Sequence, residues 1–159
     1  MFQKMLQGGS GGSEGIGFEF FSLFKNGEQC ETITGGWTGN GYSSSGNTHH
    51  NGTITDGKLT VNGNSYSGGH DFIIGTANAI DFTSLKSQGY KRICFVGDCV
   101  YSYFFMNSDK NITGSSTIWS SIDSGKTLYA YDIPDGNLYL AFVTYAGNRY
   151  CEISHVFLI

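Results

Sequence analysis

Two stretches of this chain gather the side chains best able to hold a ligand. TGNGYSSSGNTHHNG (38–52) carries Tyr42, Asn47, His49 and His50, and NGNSYSGGHD (62–71) adds Asn64, Tyr66, His70 and Asp71. That combination suits saccharide recognition: an aromatic ring covers the apolar face of a sugar while amide, imidazole and carboxylate groups take its hydroxyls. The two stretches flank one alternating segment, TITDGKLTV, so they begin and end at the same edge of whatever sheet contains it. Loops of Gly, Ser, Asn and Tyr also serve simply as solvated connections in weakly charged β proteins, and both readings stand at this level. Trp119, in STIWSSIDSG, alternates with Thr117 and Ser121 and is a further candidate, either stacking on a ligand or partly buried.

Catalytic chemistry has little to build on. No GxSxG elbow joins a strand to a helix, and neither HExxH nor a P-loop is present. The 13 acidic residues are scattered, with no spacing that singles out a glycosidase pair. Cys94 or Cys151 with a histidine could form a nucleophile and base, but both cysteines lie in strand patterns that read as buried, where a thiol is inert. The expectation is a non-enzymatic protein without a cofactor. Zinc is disfavoured because CxxC is absent and His49-His50 has no partner at regular spacing. A structural calcium ion, drawing on Glu19, Asp71 and Glu152, is a weaker expectation, since no DxDxDG-like loop appears.

The elements that must position these residues read as hairpins. FEFFSLFKNGEQCETI centres on Asn26-Gly27, a type I′ signal that sets Leu23 opposite Cys30 and Phe21 opposite Thr32. GTITDGKLTV turns at Asp56-Gly57 and sends Ile54, Leu59 and Val61 to one face and Thr53, Thr55, Lys58 and Thr60 to the other. RICFVGDCVYSYFF, read as turning at Gly97-Asp98, is apolar on both faces, as expected of a central pair or of one covered by another subunit. That register pairs Val96 with Cys99 and Cys94 with Tyr101, leaving the sulfurs unopposed, so all four cysteines are expected to remain free and buried. NLYLAFVTYAGNRYCEISHVFLI turns near Gly147-Asn148. One face then carries Leu138, Leu140, Phe142, Cys151, Ile153, Phe157 and Ile159, with His155 among them as a satisfied core histidine. Further strands are expected at 71–75, 117–121 and 126–132. In CETITGGWTGNG the double glycine ends a strand, and Trp37 folds back as a plug over the sheet end rather than lining a ligand site.

Bulk composition agrees with this pattern. The 159 residues include 24 Gly and one Pro, with 15% aromatic and 14% charged side chains, a profile of strands and tight turns. A net charge of −4 supplies no basic footprint for nucleic acid or for an anionic membrane surface. No apolar run approaches the roughly 20 residues that span a bilayer, so membrane insertion is not expected. Residues 1–16 form a short apolar arm, MFQKMLQ, and a Gly/Ser linker. The arm is either a docking or oligomerisation device or a frayed terminus. Residues 17–159 are expected to form one all-β domain, a two-sheet antiparallel β-sandwich of jelly-roll type. The start lacks a secretory signal, which predicts folding in a reducing compartment.

Three pieces, LFKNGEQCETITGGW, NAIDFTSLKSQGYKRICF and CEISHVFLI, together resemble a family of bacteriophage virion-associated proteins whose β-sandwich domain is similar to carbohydrate-binding modules. The resemblance covers roughly residues 20–159. It implies a structural or host-attachment role on a tail or other virion appendage, after folding in the host cytoplasm. Its implied partners are other virion proteins, a cell-surface glycan, and further copies of the chain as a homo-oligomer. A stand-alone, lectin-like glycan-binding module is the alternative.

Overall fold

The computed structural model describes residues 21–29, 35–44, 46–113 and 118–159. The apolar arm, the Gly/Ser linker, Glu19, Cys30, Thr32 and the side chain of Trp119 lie outside the described residues. In chain order the strands are β1 (Phe21–Lys25), β2 (Glu28–Gln29), β3 (Trp37–Thr38), β4 (Thr48–Asn51), β5 (Thr53–Thr55), β6 (Lys58–Asn62), β7 (His70–Thr76) and β8 (Ile80–Asp81). After a one-and-a-half-turn helix, α1 (Phe82–Ser87), follow β9 (Arg92–Val100), β10 (Ser102–Asn107), β11 (Ile118–Ile122), β12 (Leu128–Asp132), β13 (Asn137–Tyr145) and β14 (Tyr150–Leu158).

Two sheets pack face to face. The first contains the order β6-β14-β9-β12, and the second β7-β13-β10-β11. Consecutive strands of this set change sheet at every step except β10 to β11, which are neighbours in the second sheet, and the neighbouring pairs are antiparallel. That is jelly-roll connectivity, as the strand spacing predicts. Additional strands extend the edges. β1 and its hairpin partner β2 continue the first sheet beside the C-terminal half of β14, and β5 pairs with β6. β3 and β4 both border β7, β4 in the one parallel pairing among the named strands.

Both expected hairpins form, each with positive φ at the two turn residues as in type I′: Asn26 and Gly27 have φ 47° and 84°, and Asp56 and Gly57 have φ 49° and 72°. The alternation of the second holds, with Leu59 and Val61 buried, although Ile54 on the edge strand β5 is partly exposed. Asp71–Gly75 lies within β7, and the strands expected at 117–121 and 126–132 are β11 and β12.

Four expectations are corrected. Gly97-Asp98 is not a turn: Arg92–Val100 is one continuous strand paired with β14, and the chain turns instead at Tyr101, φ 47°. The change of partner brings Cys99 directly opposite Cys151, Cα atoms 4.1 Å apart, and the two are joined by a disulfide, so the cysteines are not all free. Cys94 is a buried free thiol whose ionisation is pushed up by burial. The segment around Gly147-Asn148 is not a hairpin within one sheet but a corner, since β13 and β14 lie in opposite sheets. A register shift between Ile153 and His155 then inverts the face pattern of β14, as one inserted residue must in a structure of period two. Val156 and Leu158 are therefore buried, while His155 and Phe157 are half-buried and Ile159 exposed; His155 is satisfied by Ser154 Oγ at 2.9 Å but does not belong to the core. Between β8 and β9, Asp81 caps α1 by accepting from the Ser84 N–H at 2.9 Å.

The main core fills the space between the sheets, with Phe24, Phe82, Phe95, Phe104 and Phe142 fully buried. Trp37 is a plug, as expected. It is 5% exposed, donates Nε1–H to Leu23 O at 3.1 Å and stacks on Phe142 with centroids 6.0 Å apart. Gly35 and Gly36, at φ 78° and 71°, make the turn that delivers it. A smaller cluster of Tyr42, Ile73, Phe105, Ile112, Ala141 and Val143 lies on the outer face of the second sheet.

Candidate functional site

Strand β7 organises the candidate residues because it presents two faces. Side chains at alternate positions of a strand point to opposite sides. His70, Phe72 and Ile74 therefore face one way, Phe72 and Ile74 into the main core, while Asp71 and Ile73 face the outer side, Ile73 into the smaller cluster. The parallel neighbour β4 matches this phase: His50 is registered with Phe72 and His49 with Asp71.

On the inner side, four rings converge at the rim. The His50 ring stacks on Phe72 at 4.8 Å with an interplanar angle of 12°. Tyr66 packs against His50, His70 and Phe72 at 4.8, 4.9 and 5.0 Å. His50 Nε2 and His70 Nδ1 are hydrogen-bonded at 2.9 Å. Phe72 is buried and anchors the group, whereas Tyr66 is 40% exposed and offers a ring face to solvent.

The loop carrying Tyr66 is held on both sides by backbone bonds. Tyr66 N–H donates to Gly63 O (3.1 Å), Gly147 N–H to Tyr66 O (3.0 Å), and Gly63 N–H to Arg149 O (2.9 Å). Gly63 lies so close to the Tyr145 carbonyl that a Cβ would collide with it, so this position requires glycine. Asn64 sits in the same turn, exposed, with its N–H on Asn62 Oδ1 at 2.9 Å.

Beside the rings is a groove of about 260 Å³ that also takes in Asn51, Gly52 and Thr53 from the β4–β5 segment and Thr60 and Asn62 from β6. Its two sides thus come from different sheets, at the edge where the chain passes between them. The lining provides hydroxyl, amide and imidazole groups, and none of its residues is acidic or cationic. In size it is near the lower end of small-molecule sites, ~300–1,000 Å³, enough for a terminal sugar unit rather than a long oligosaccharide.

Other predicted residues lie on the outer side. Tyr42 does not reach this groove. It is 4% exposed, its hydroxyl donating to Thr76 O at 2.8 Å and its ring edge-on to Phe105, because the 39–44 segment folds down onto the sheet. Burial pushes its phenol far above the ordinary tyrosine range. Asn47 donates Nδ2–H to Asp71 Oδ1 at 2.7 Å, while Asp71, 1% exposed, has no partner for Oδ2 among the described residues. Burial and then the Asp71 carboxylate raise the nearby Tyr145 hydroxyl. His49 Nε2 lies 3.1 Å from Gly39 O and 2.8 Å from Asn51 Oδ1; two acceptors at one nitrogen identify it as the protonated one. Trp119 belongs to β11, at the opposite edge of the second sheet from β7.

Three of the eight predicted residues, His50, Tyr66 and His70, thus meet at one site, and Asn64 borders it. Phe72 was missed, though its signal is plain: it stands two residues after His70 in a strand. Thr60 was assigned only to a hairpin face, and Asn62 was read only as the start of the 62–71 loop. Of the calcium candidates, Asp71 and Glu152 lie in different sheets, and Glu152 is paired with Lys58 at 3.0 Å. Among the described residues, no three His, Cys, Asp or Glu side chains cluster as metal ligands, and no helix is long and apolar enough to cross a membrane. No protein-family model, curated protein or solved structure matches the chain.

Proposed function

We propose that this chain is a non-enzymatic recognition module that holds a cell-surface glycan in the His50–Tyr66 groove, carried on a bacteriophage tail appendage for host attachment. The observation that carries the reading is the convergence of an open tyrosine face with hydroxyl and amide groups along one groove. Tyr66 covers the apolar face of a sugar ring, and Thr53, Thr60 and Asn62 accept from and donate to its hydroxyls. A groove without paired carboxylates suits binding rather than glycoside hydrolysis. The virion setting rests on the resemblance of three sequence pieces. The Cys99–Cys151 disulfide suits a domain displayed outside a reducing cytoplasm.

A glycan array tests the binding reading. The wild-type protein is expected to retain a defined set of saccharides that Tyr66→Ala and His70→Ala both lose. Absence of any retained glycan, or retention untouched by both substitutions, ends it. Mass spectrometry of purified particles tests the setting: a glycan-binding chain missing from virions is the stand-alone module instead.

A further inference from the structure

We propose that the cleft beside Tyr101 is a second saccharide-binding site, for a neutral sugar unit, separate from the His50–Tyr66 groove and independent of what that groove holds. Among the described residues, three non-glycines have positive φ: Asn26, Asp56 and Tyr101. The first two are types whose short polar side chains suit that conformation; a tyrosine is not. Tyr101, at φ 47°, joins β9 to β10 and leaves its ring 68% exposed, so burial of the ring does not offset the strain. A glycine would turn the same corner without strain. Strain held at an exposed position points to a use for the side chain other than packing.

An open cleft of about 210 Å³ lies against this residue. Tyr103 and Ser121, registered partners on β10 and β11, contribute to its lining, with Asp123 and Ser124 from the turn after β11. The Tyr101 N–H donates to Ser124 Oγ at 3.2 Å, which ties the corner to that turn, and the serine hydroxyl keeps its own hydrogen to donate. Tyr103 is half-buried and braced edge-on by Tyr145, centroids 5.7 Å apart. Asp123 is the one charged residue of the lining, and Lys126 Nζ sits on its Oδ2 at 2.5 Å, so neither an anion nor a cation meets an uncompensated charge. An open aromatic face beside hydroxyl groups fits a neutral polyhydroxylated ring. Asn62, Tyr150 and Val100 stand in one row of the first sheet. The Tyr66 loop and the Tyr101 corner therefore leave the same end of the sandwich, on strands two apart, about 10 Å. Two sites on one rigid end would engage a glycan-coated surface together.

The test puts the full-length protein and its variants on a glycan array. Tyr101→Gly removes the ring and suits the positive φ, so its thermal unfolding temperature should be no lower than that of the wild type. Its retention of a set of neutral saccharides should nevertheless fall at least ~10-fold, the loss expected when an aromatic platform is removed. Tyr101→Phe, which keeps the ring, should retain them. Retention unchanged in Tyr101→Gly, or a lowered unfolding temperature that makes the ring a packing element, overturns the site. Saccharides lost in Tyr66→Ala but kept in Tyr101→Gly end this inference and leave the groove. The reverse pattern, with His70→Ala also without effect, keeps this site and ends the groove. An array that retains no glycan ends both.

Discussion

Tyr42 and Tyr66 come from loops of nearly the same composition, yet they end on opposite sides of β7 in opposite circumstances. Tyr42 is sealed: its hydroxyl is on the Thr76 carbonyl, its ring lies against Phe105 and Tyr139, and Lys110 Nζ sits 5.2 Å from its centre. Tyr66 is held by its backbone and leaves its ring open. The difference traces to the sheet rather than to the loops. Gly75 presents no side chain on the outer face, and Tyr42 occupies the space a Cβ would take. On the inner rim, Phe72 and the histidines fill the sheet surface, so Tyr66 can only lie against them at the edge. In β7 the glycine is the slot into which one ring docks, and the filled positions leave the other ring open at the edge.

Replacing the two tyrosines tests this contrast most strongly. Tyr42→Ala should destabilise the fold by about 3–5 kcal/mol, as for other buried aromatic truncations, while Tyr66→Ala should cost less than about 1 kcal/mol, both read by urea unfolding. Equal losses would break the comparison. Gly75→Ala should cost about 1–3 kcal/mol, since the new methyl meets both the Tyr42 hydroxyl and the Ala141 methyl. A thermal unfolding temperature unchanged by this substitution would show that the slot is not selective.

A smaller effect concerns alkaline pH. Burial, helped by the Asp123 carboxylate, pushes Tyr131 up to about 12, and burial raises Tyr42 further. Tyrosines of the unfolded chain ionise near pH 10. Between about pH 10 and 12 the unfolded state therefore binds fewer protons than the fold, and stability falls as pH rises. The contribution is fully present below pH 10. Unfolding measured across this window should fall less steeply in Tyr131→Phe and in Tyr42→Phe than in the wild type.

Much of the fold was legible because alternation and Asn-Gly or Asp-Gly turns are local signals. Leu59, Val61, Trp37 and both hairpins follow from them directly. What failed was non-local. Gly97-Asp98 has the composition of a turn, but Gly97 is a glycine because the Glu152 carbonyl and Ile153 of the neighbouring strand come too close for any Cβ. The actual turn falls on Tyr101, a residue with no intrinsic preference for positive φ. His155 and Phe157 were assigned to the core because nothing in CEISHVFLI announces the bulge that inverts its second half. At the site, shared flanking of one hairpin was enough to bring His50, Tyr66 and His70 together. Tyr42 could not be separated from them without knowing that its loop descends onto Gly75, 33 positions later.

The disulfide between Cys99 and Cys151, 52 residues apart in sequence, joins two neighbouring strands of the first sheet, yet the segment it encloses supplies β10, β11 and β13 of the second. The bond thus makes a covalent ring in which one sheet borrows three strands through the other. A backbone cut in the exposed 123–127 turn opens that ring without dividing the molecule, and both cut ends remain tethered to the sheets they came from. The jelly roll thereby retains, after cleavage, the connectivity that its loops alone would have lost.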